Sequence, residues 1–180
     1  MNLKKSLGIG IILCLSMTAV VAQTGIKVVL KADTSKYLAR CNNCIPDGAY
    51  PDSAFVHANS PQESYAQFVL EKLENGKYAL KSDTGNYLAR CDKCIPKGAY
   101  SDSAFVHVTS QQLSSASYAQ FVLNRLQNGK YTLKADTGMY LARCNECIPG
   151  GTYPDSAFIH VPENQIQTAS YAQWDIAIVP

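Results

Sequence analysis

One segment is written three times along this chain. Leu30-Lys31-Ala32-Asp33-Thr34 with Tyr37-Leu38-Ala39-Arg40-Cys41 returns as Leu80-Lys81-Ser82-Asp83-Thr84 with Tyr87 to Cys91, and again as Leu133-Lys134-Ala135-Asp136-Thr137 with Tyr140 to Cys144. Cys41 and Cys91 stand 50 positions apart, and Cys91 and Cys144 stand 53 apart. A period in this range marks propellers, arrays or closed pseudo-symmetric barrels. In the second copy the strand-like runs are Tyr78 to Ser82, Tyr87 to Cys91, Ala104 to Val108 and Ala119 to Leu126. They are rich in Tyr, Val, Phe and Leu and are bounded by Asp-Thr-Gly, Pro/Gly and Asn-Gly turn signals. No helical periodicity follows residue 23, so twelve strands are expected.

The links between copies are Glu74-Asn75-Gly76-Lys77 and Gln127-Asn128-Gly129-Lys130. Asn-Gly between two apolar runs is a strong hairpin signal, with both turn residues expected at positive φ. The last strand of one copy therefore pairs with the first strand of the next. If Gln173 to Val179 pairs in the same way with Ile26 to Ala32, the sheet closes and its edges disappear.

The composition of the first 22 residues points to export. Lys4 and Lys5 precede an apolar run from Leu7 to Val21, and Val20-Val21-Ala22 supplies small residues before Gln23. This is the pattern of a secretory signal peptide, and the run is too short and wrongly flanked for a membrane anchor. Cleavage is expected after Ala22, leaving 23–180 as one domain that is secreted, or periplasmic in a bacterium, with no membrane span and as a monomer. The leader holds two lysines and no acid, so the remaining chain carries 14 bases against 14 acids. Without a Lys/Arg cluster there is no electrostatic reason to expect nucleic acid or an anionic membrane as partner.

Cys14 leaves with the leader, and the other six cysteines form three C-x-x-C pairs, Cys41/Cys44, Cys91/Cys94 and Cys144/Cys147. An even number in tidy pairs reads as disulfides in an oxidising compartment. Two alternatives stand beside this. A redox motif would need a thioredoxin-like βαβ context, and a zinc site would leave three symmetric pairs with six thiolates where four are needed. No metal and no cofactor is expected.

Three repeats of four strands with chain closure resemble a β-trefoil: an all-β, pseudo-threefold fold with repeats at about 26–76, 77–129 and 130–180. The pattern Tyr-x-Leu-Lys-x-Asp-Thr-Gly-x-Tyr-Leu-Ala-Arg in repeats two and three is followed by Ala-Phe-Val/Ile-His and later by Ala-Gln-Phe/Trp. It resembles the fascin-like, actin-crosslinking branch of trefoils over Thr24 to Pro180. The chain departs from that branch in being exported, single and furnished with a C-x-x-C in each repeat, which points away from actin bundling. Ricin-type trefoil lectins carry Gln-x-Trp, whereas Gln67-Phe68, Gln120-Phe121 and Gln173-Trp174 are adjacent here, so ricin-type sugar ligands do not carry over.

Three recurring polar sets remain. His57, His107 and His160 follow Ala-Phe-Val or Ala-Phe-Ile and read as hydrogen-bonded strand-end residues, the alternative being three imidazoles around one axis. Arg40, Arg90 and Arg143 share strand parity with buried leucines and are expected to pair with Asp33, Asp52 and their repeat equivalents. The third set is the loop group Tyr50/Asp52, Tyr100/Asp102 and Tyr153/Asp155, with Asn42, Asn43, Asp92 and Asn145 nearby. An aromatic face for a pyranose ring and planar acceptors for its hydroxyls are what sugar recognition needs. The bland reading of the same loops is turn chemistry.

No nucleophile, acid/base pair or cofactor motif is present, so the expected function is a non-enzymatic carbohydrate-binding module with up to three equivalent loop sites. The alternative is a protein-interaction module, an adhesin or inhibitor, that uses one of the divergent loops Ser60 to Ser64, Ser110 to Ser117 or Glu163 to Ser170.

Overall fold

The computed structural model describes residues 25–179. The signal peptide expected over 1–22, with Cys14, lies outside them. Twelve strands follow in order: β1 (Ile26–Lys31), β2 (Tyr37–Asn42), β3 (Asp52–Ala58), β4 (Phe68–Lys72), β5 (Tyr78–Lys81), β6 (Tyr87–Asp92), β7 (Asp102–Val108), β8 (Val122–Arg125), β9 (Tyr131–Lys134), β10 (Tyr140–Asn145), β11 (Asp155–Val161) and β12 (Asp175–Ile178). The described helical residues are confined to short 3₁₀ turns, such as Ser64–Ala66, Ser117–Ala119 and Ser170–Ala172. Among the described residues no helix is long and apolar enough to cross a membrane.

The expected closure is present. Strand β1 pairs antiparallel with β12, Val28 facing Ile178 and Leu30 facing Ile176, and on its other side with β4. Strand β4 pairs with β5 and β8 with β9. Two short bridges, Tyr78 to Phe121 and Tyr131 to Trp174, complete a ring of β1, β4, β5, β8, β9 and β12. The other six strands form three hairpins, β2–β3, β6–β7 and β10–β11. Strands β3, β7 and β11 also touch one another through Ser53–Phe105, Phe55–Ser156 and Ser103–Phe158, which sets the hairpins around a pseudo-threefold axis.

Period-2 alternation explains why apolar residues gather on both faces of the hairpin strands. Inside the ring, equivalent residues from the three copies meet in layers: Leu30, Leu80 and Leu133; Leu38, Leu88 and Leu141; Val56, Val106 and Ile159; Phe68, Phe121 and Trp174. Trp174 takes the place of a phenylalanine and donates its indole N–H to the Leu141 carbonyl at 3.1 Å, so the extra polar atom is satisfied. One position along β3, β7 and β11, Phe55, Phe105 and Phe158 point the other way. They gather with all six C-x-x-C cysteines and with Ile45, Ile95 and Ile148 in a second apolar cluster.

Two local expectations are corrected. The run Ala119 to Leu126 starts as a 3₁₀ turn, and only Val122–Arg125 is strand; the Ala119 N–H bonds the Ala116 carbonyl and Gln120 donates from Nε2 to the Leu113 carbonyl, which bends the chain before it can pair. In the hairpin links only the glycines take positive φ, 81° at Gly76 and 86° at Gly129. The loop is longer than a two-residue turn and closes by Leu73 N–H to the Lys77 carbonyl at 2.8 Å, while Asn75 Oδ1 accepts from Lys77 N–H at 3.0 Å. Asparagine serves there as a side-chain acceptor in the turn.

Candidate functional site

The three tyrosines of the long loops land on the next repeat. Tyr50 stacks on His107 with ring centroids 4.2 Å apart, Tyr100 on His160 at 4.3 Å, and Tyr153 on His57 at 4.3 Å. Each also meets a core phenylalanine edge-on at 6.0 Å, Phe105, Phe158 and Phe55 in turn. On the far face of each imidazole lies a second tyrosine in near-parallel orientation: Tyr118 beside His107, Tyr171 beside His160 and Tyr65 beside His57. Each repeat boundary therefore carries a Tyr–His–Tyr layer, closed cyclically by the boundary between the last repeat and the first.

Backbone hydrogen bonds fix the loops in that position. Ala49 N–H donates to the Cys94 carbonyl at 3.0 Å, Ala99 N–H to Cys147 at 2.9 Å, and Thr152 N–H to Cys44 at 3.0 Å. The three C-x-x-C pairs are disulfide-bonded, with Cα separations of 5.7, 5.6 and 5.7 Å, which lie within the ordinary range for such bonds. Each disulfide thus shapes the ledge on which the preceding repeat's tyrosine loop rests. Despite this packing the outer rings stay open, Tyr50 being 41%, Tyr100 44% and Tyr153 37% exposed.

The histidines lie near the strand ends, where the Phe55, Phe105 and Phe158 backbone groups partly offset the effect of burial on them. The Nδ1 atoms of His57, His107 and His160 are buried without a partner among the described residues, and each ring is stacked on a tyrosine. Burial pushes all three below the ordinary imidazole value, so the neutral ring is favoured. Among the described residues no group of three His, Cys, Asp or Glu side chains converges as metal ligands would.

The arginines make the pairs expected of them, and across repeats. Arg40 donates from Nη1 to Asp52 at 2.9 Å and from Nε to Asp83 of the second repeat at 2.7 Å. Arg90 bridges Asp102 and Asp136 in the same way, and Arg143 bridges Asp155 and Asp33. These guanidinium groups hold Asp33, Asp83 and Asp136 below the usual carboxylate range. Of the candidate sugar ligands, Asp52, Asp102 and Asp155 are therefore each occupied at Oδ1 by an arginine.

The two candidate asparagines are not equivalent. Asn145 matches Asn42 and Asp92 at the strand end, and its Nδ2 donates to Asp155 Oδ1 at 3.1 Å. Asn43 sits one residue later with φ 53°, where Lys93 and Glu146 also take φ 55°, and its Nδ2 donates to Asn42 Oδ1 at 3.0 Å. At the boundary of the second and third repeats Tyr100, Arg143, Cys144, Asn145, His160 and Tyr171 line a shallow groove of about 250 Å³. The structure thus brings Tyr100 to Asn145 and Arg143 and sets Asp155 behind the arginine. The inner tyrosines Tyr65, Tyr118 and Tyr171 escaped the sequence reading, although Ser-Tyr-Ala-Gln recurs at 64–67, 117–120 and 170–173 and signals them.

No protein-family model matches the chain, and no curated protein matches it in sequence. Solved structures share its fold. A designed threefold symmetric protein, ThreeFoil, aligns with a TM-score of 0.62 at 20% identity, over 85% of this chain and 99% of that one. The SDF2-like protein from Arabidopsis thaliana aligns with a TM-score of 0.67 at 12% identity, over 86% and 93%. A lectin from Polyporus squamosus, bound to the epitope Neu5Aca2-6Galb1-4GlcNAc, aligns with a TM-score of 0.57 at 12% identity, over 86% of this chain and 49% of that one. At such identities the likeness carries the all-β, threefold fold and nothing of the site.

Proposed function

We propose that the protein is an exported, non-enzymatic carbohydrate-binding module: one fascin-like β-trefoil of three four-stranded repeats that holds up to three glycan sites at its repeat boundaries. The observation that carries this reading is the rigid, exposed tyrosine at each boundary. Its inner face is fixed by a stacked histidine, and its outer face stays open beside an arginine and, in two of three copies, an asparagine. A pyranose ring places its C–H face on an aromatic and its hydroxyls on planar polar groups, and a ring that is already ordered loses little entropy on binding. That a lectin shares the fold supports the reading without naming a sugar. Sites that are weak one by one gain avidity on a surface displaying many copies of the same glycan.

A glycan and polysaccharide screen on the oxidised protein, followed by calorimetric titration, tests this. Saturable binding that falls when Tyr50, Tyr100 or Tyr153 is changed to alanine supports it, and silence from folded protein overturns it.

A second reading rests on one asymmetric feature. Leu73, Glu74, Asn75, Ser110, Leu113, Ser114 and Gln120 line a cavity of about 360 Å³ under the loop of the second repeat. A protein-interaction module would use that loop, and loss of affinity confined to changes at Ser110 and Ser114 would favour it.

A further inference from the structure

The three boundary sites differ at one position that touches the ligand's chemistry. Asn42, Asp92 and Asn145 end β2, β6 and β10 at equivalent places, each in register with an aspartate of the partner strand, Asp52, Asp102 and Asp155. In the first and third copies the amide Nδ2 donates to that aspartate's Oδ1, at 3.0 and 3.1 Å. A carboxylate has no N–H to give. Asp102 Oδ1 accordingly receives only Arg90 Nη1, at 2.9 Å, among the described residues, and the exposed Asp92 is its register partner on the neighbouring strand.

The pseudo-threefold copy of the groove formed by Tyr100, Arg143, Asn145, His160 and Tyr171 is Tyr50, Arg90, Asp92, His107 and Tyr118. The middle copy thus carries two carboxylates on register-paired residues, where the other copies carry an amide–carboxylate pair that is already satisfied. Lys93 follows Asp92 in a left-handed turn, and no ion pair of Lys93 is formed among the described residues. The missing donor is therefore left for a ligand.

On the glycan-binding reading above, we infer that the middle site selects a sugar bearing a free amino group, and that Asp92 is the specificity-determining residue. The ammonium supplies three donors and a positive charge where the amide N–H₂ of the other copies would lie, bonding Asp92 and Asp102 together. The neighbouring Tyr50 ring adds a favourable face for a cation. An N-acetylated sugar has one amide N–H and no charge to offer, so it leaves the carboxylate pair uncompensated. The outer sites, with Asn42 and Asn145, take the neutral sugar.

The test titrates the oxidised protein with a glucosamine tetramer and with its fully N-acetylated counterpart, by calorimetry at about pH 5.5 and physiological salt, where the sugar amines are protonated and the aspartates ionised. The expected result is one site per chain that prefers the amino form about tenfold, a difference of roughly 1.4 kcal/mol. Asp92→Asn installs the residue found in the other copies at an exposed position and should abolish that preference; Asn145→Asp should create a second amine-selective site. A tetralysine peptide of the same charge should fail to compete. The inference is overturned if both tetramers bind equally, if the preference survives Asp92→Asn, or if tetralysine competes as well as the amino sugar. Neutral glycans binding with no amine preference anywhere would overturn this inference alone, whereas a folded protein that binds no glycan at all would overturn the glycan-binding reading with it.

Discussion

Arg143 in the third repeat donates from Nε and Nη2 to the two carboxylate oxygens of Asp33 in the first, 110 positions away, at 2.7 and 3.0 Å. The same link joins Arg40 to Asp83 and Arg90 to Asp136. Because Arg143 also holds Asp155 in its own repeat, each arginine ties a hairpin to the neighbouring copy. Of these three arginine links, the one from Arg143 joins the last repeat to the first.

Removing that link should be felt as lost stability. Bidentate, charge-assisted bonds in a half-buried setting are worth more than a surface pair, so Arg143→Ala should lower the unfolding free energy by about 2 kcal/mol. Urea titration followed by Trp174 fluorescence reads this, since Trp174 is the chain's one tryptophan and fully buried. A double cycle with Asp33→Ala should show that most of the loss is shared between the two residues.

Acid should weaken the fold in two stages. His57, His107 and His160 have folded values below the unfolded value of about 6.5, so the unfolded chain binds more protons between those values. Their contribution is complete above about pH 6.5 and is lost as pH falls through the lowered folded values. Asp33, Asp83 and Asp136 are depressed likewise, so their contribution is present above the unfolded carboxylate value and is lost as pH falls below it. Unfolding free energy measured from pH 8 to pH 3 should decline first below about 6.5 and again below about 4. His107→Phe should flatten part of the first decline while keeping the stack.

The tryptophan in the phenylalanine layer gives a packing test. Trp174→Ala opens a cavity among Leu30, Leu80, Leu133 and their neighbours and should be destabilising by about 3–5 kcal/mol. Trp174→Phe restores the residue type of Phe68 and Phe121 and leaves the Leu141 carbonyl without its donor, so the loss should be smaller, about 1–3 kcal/mol. Thermal melts of the two variants check the order.

Cysteine replacement should act on the neighbouring repeat. Cys44 carries the carbonyl that accepts from Thr152 N–H, which places Tyr153 on His57. Changing Cys41 and Cys44 together to serine should therefore weaken the site containing Tyr153 more than the one containing Tyr50, whose loop rests on Cys94. The short ring contributes only about 2 kcal/mol by the loop-entropy relation, so the fold should survive. Binding stoichiometry alongside circular dichroism separates the two effects.

Much of this architecture was legible in the residues. The period, the Asn-Gly links and the apolar alternation anticipated the closure of β12 on β1. The arginine partners followed from strand parity and the rule that a half-buried charge needs a counter-charge. The Tyr–His layers were not foreseen, because they join residues of different repeats whose sequence separation says nothing of their distance. Asp52, Asp102 and Asp155 stood in the sequence both as arginine partners and as sugar ligands, and the structure gives the Oδ1 of each to the guanidinium on the adjacent strand, 12 positions earlier.

The most direct test of the account is calorimetric titration of the oxidised protein with the best glycan from a screen, repeated for Tyr50→Ala, Tyr100→Ala and Tyr153→Ala. The account predicts saturable binding at up to three sites per chain, with each substitution removing one site while the melting temperature stays within a few degrees. Absence of glycan binding by folded protein, or binding that none of the three substitutions alters, would contradict it.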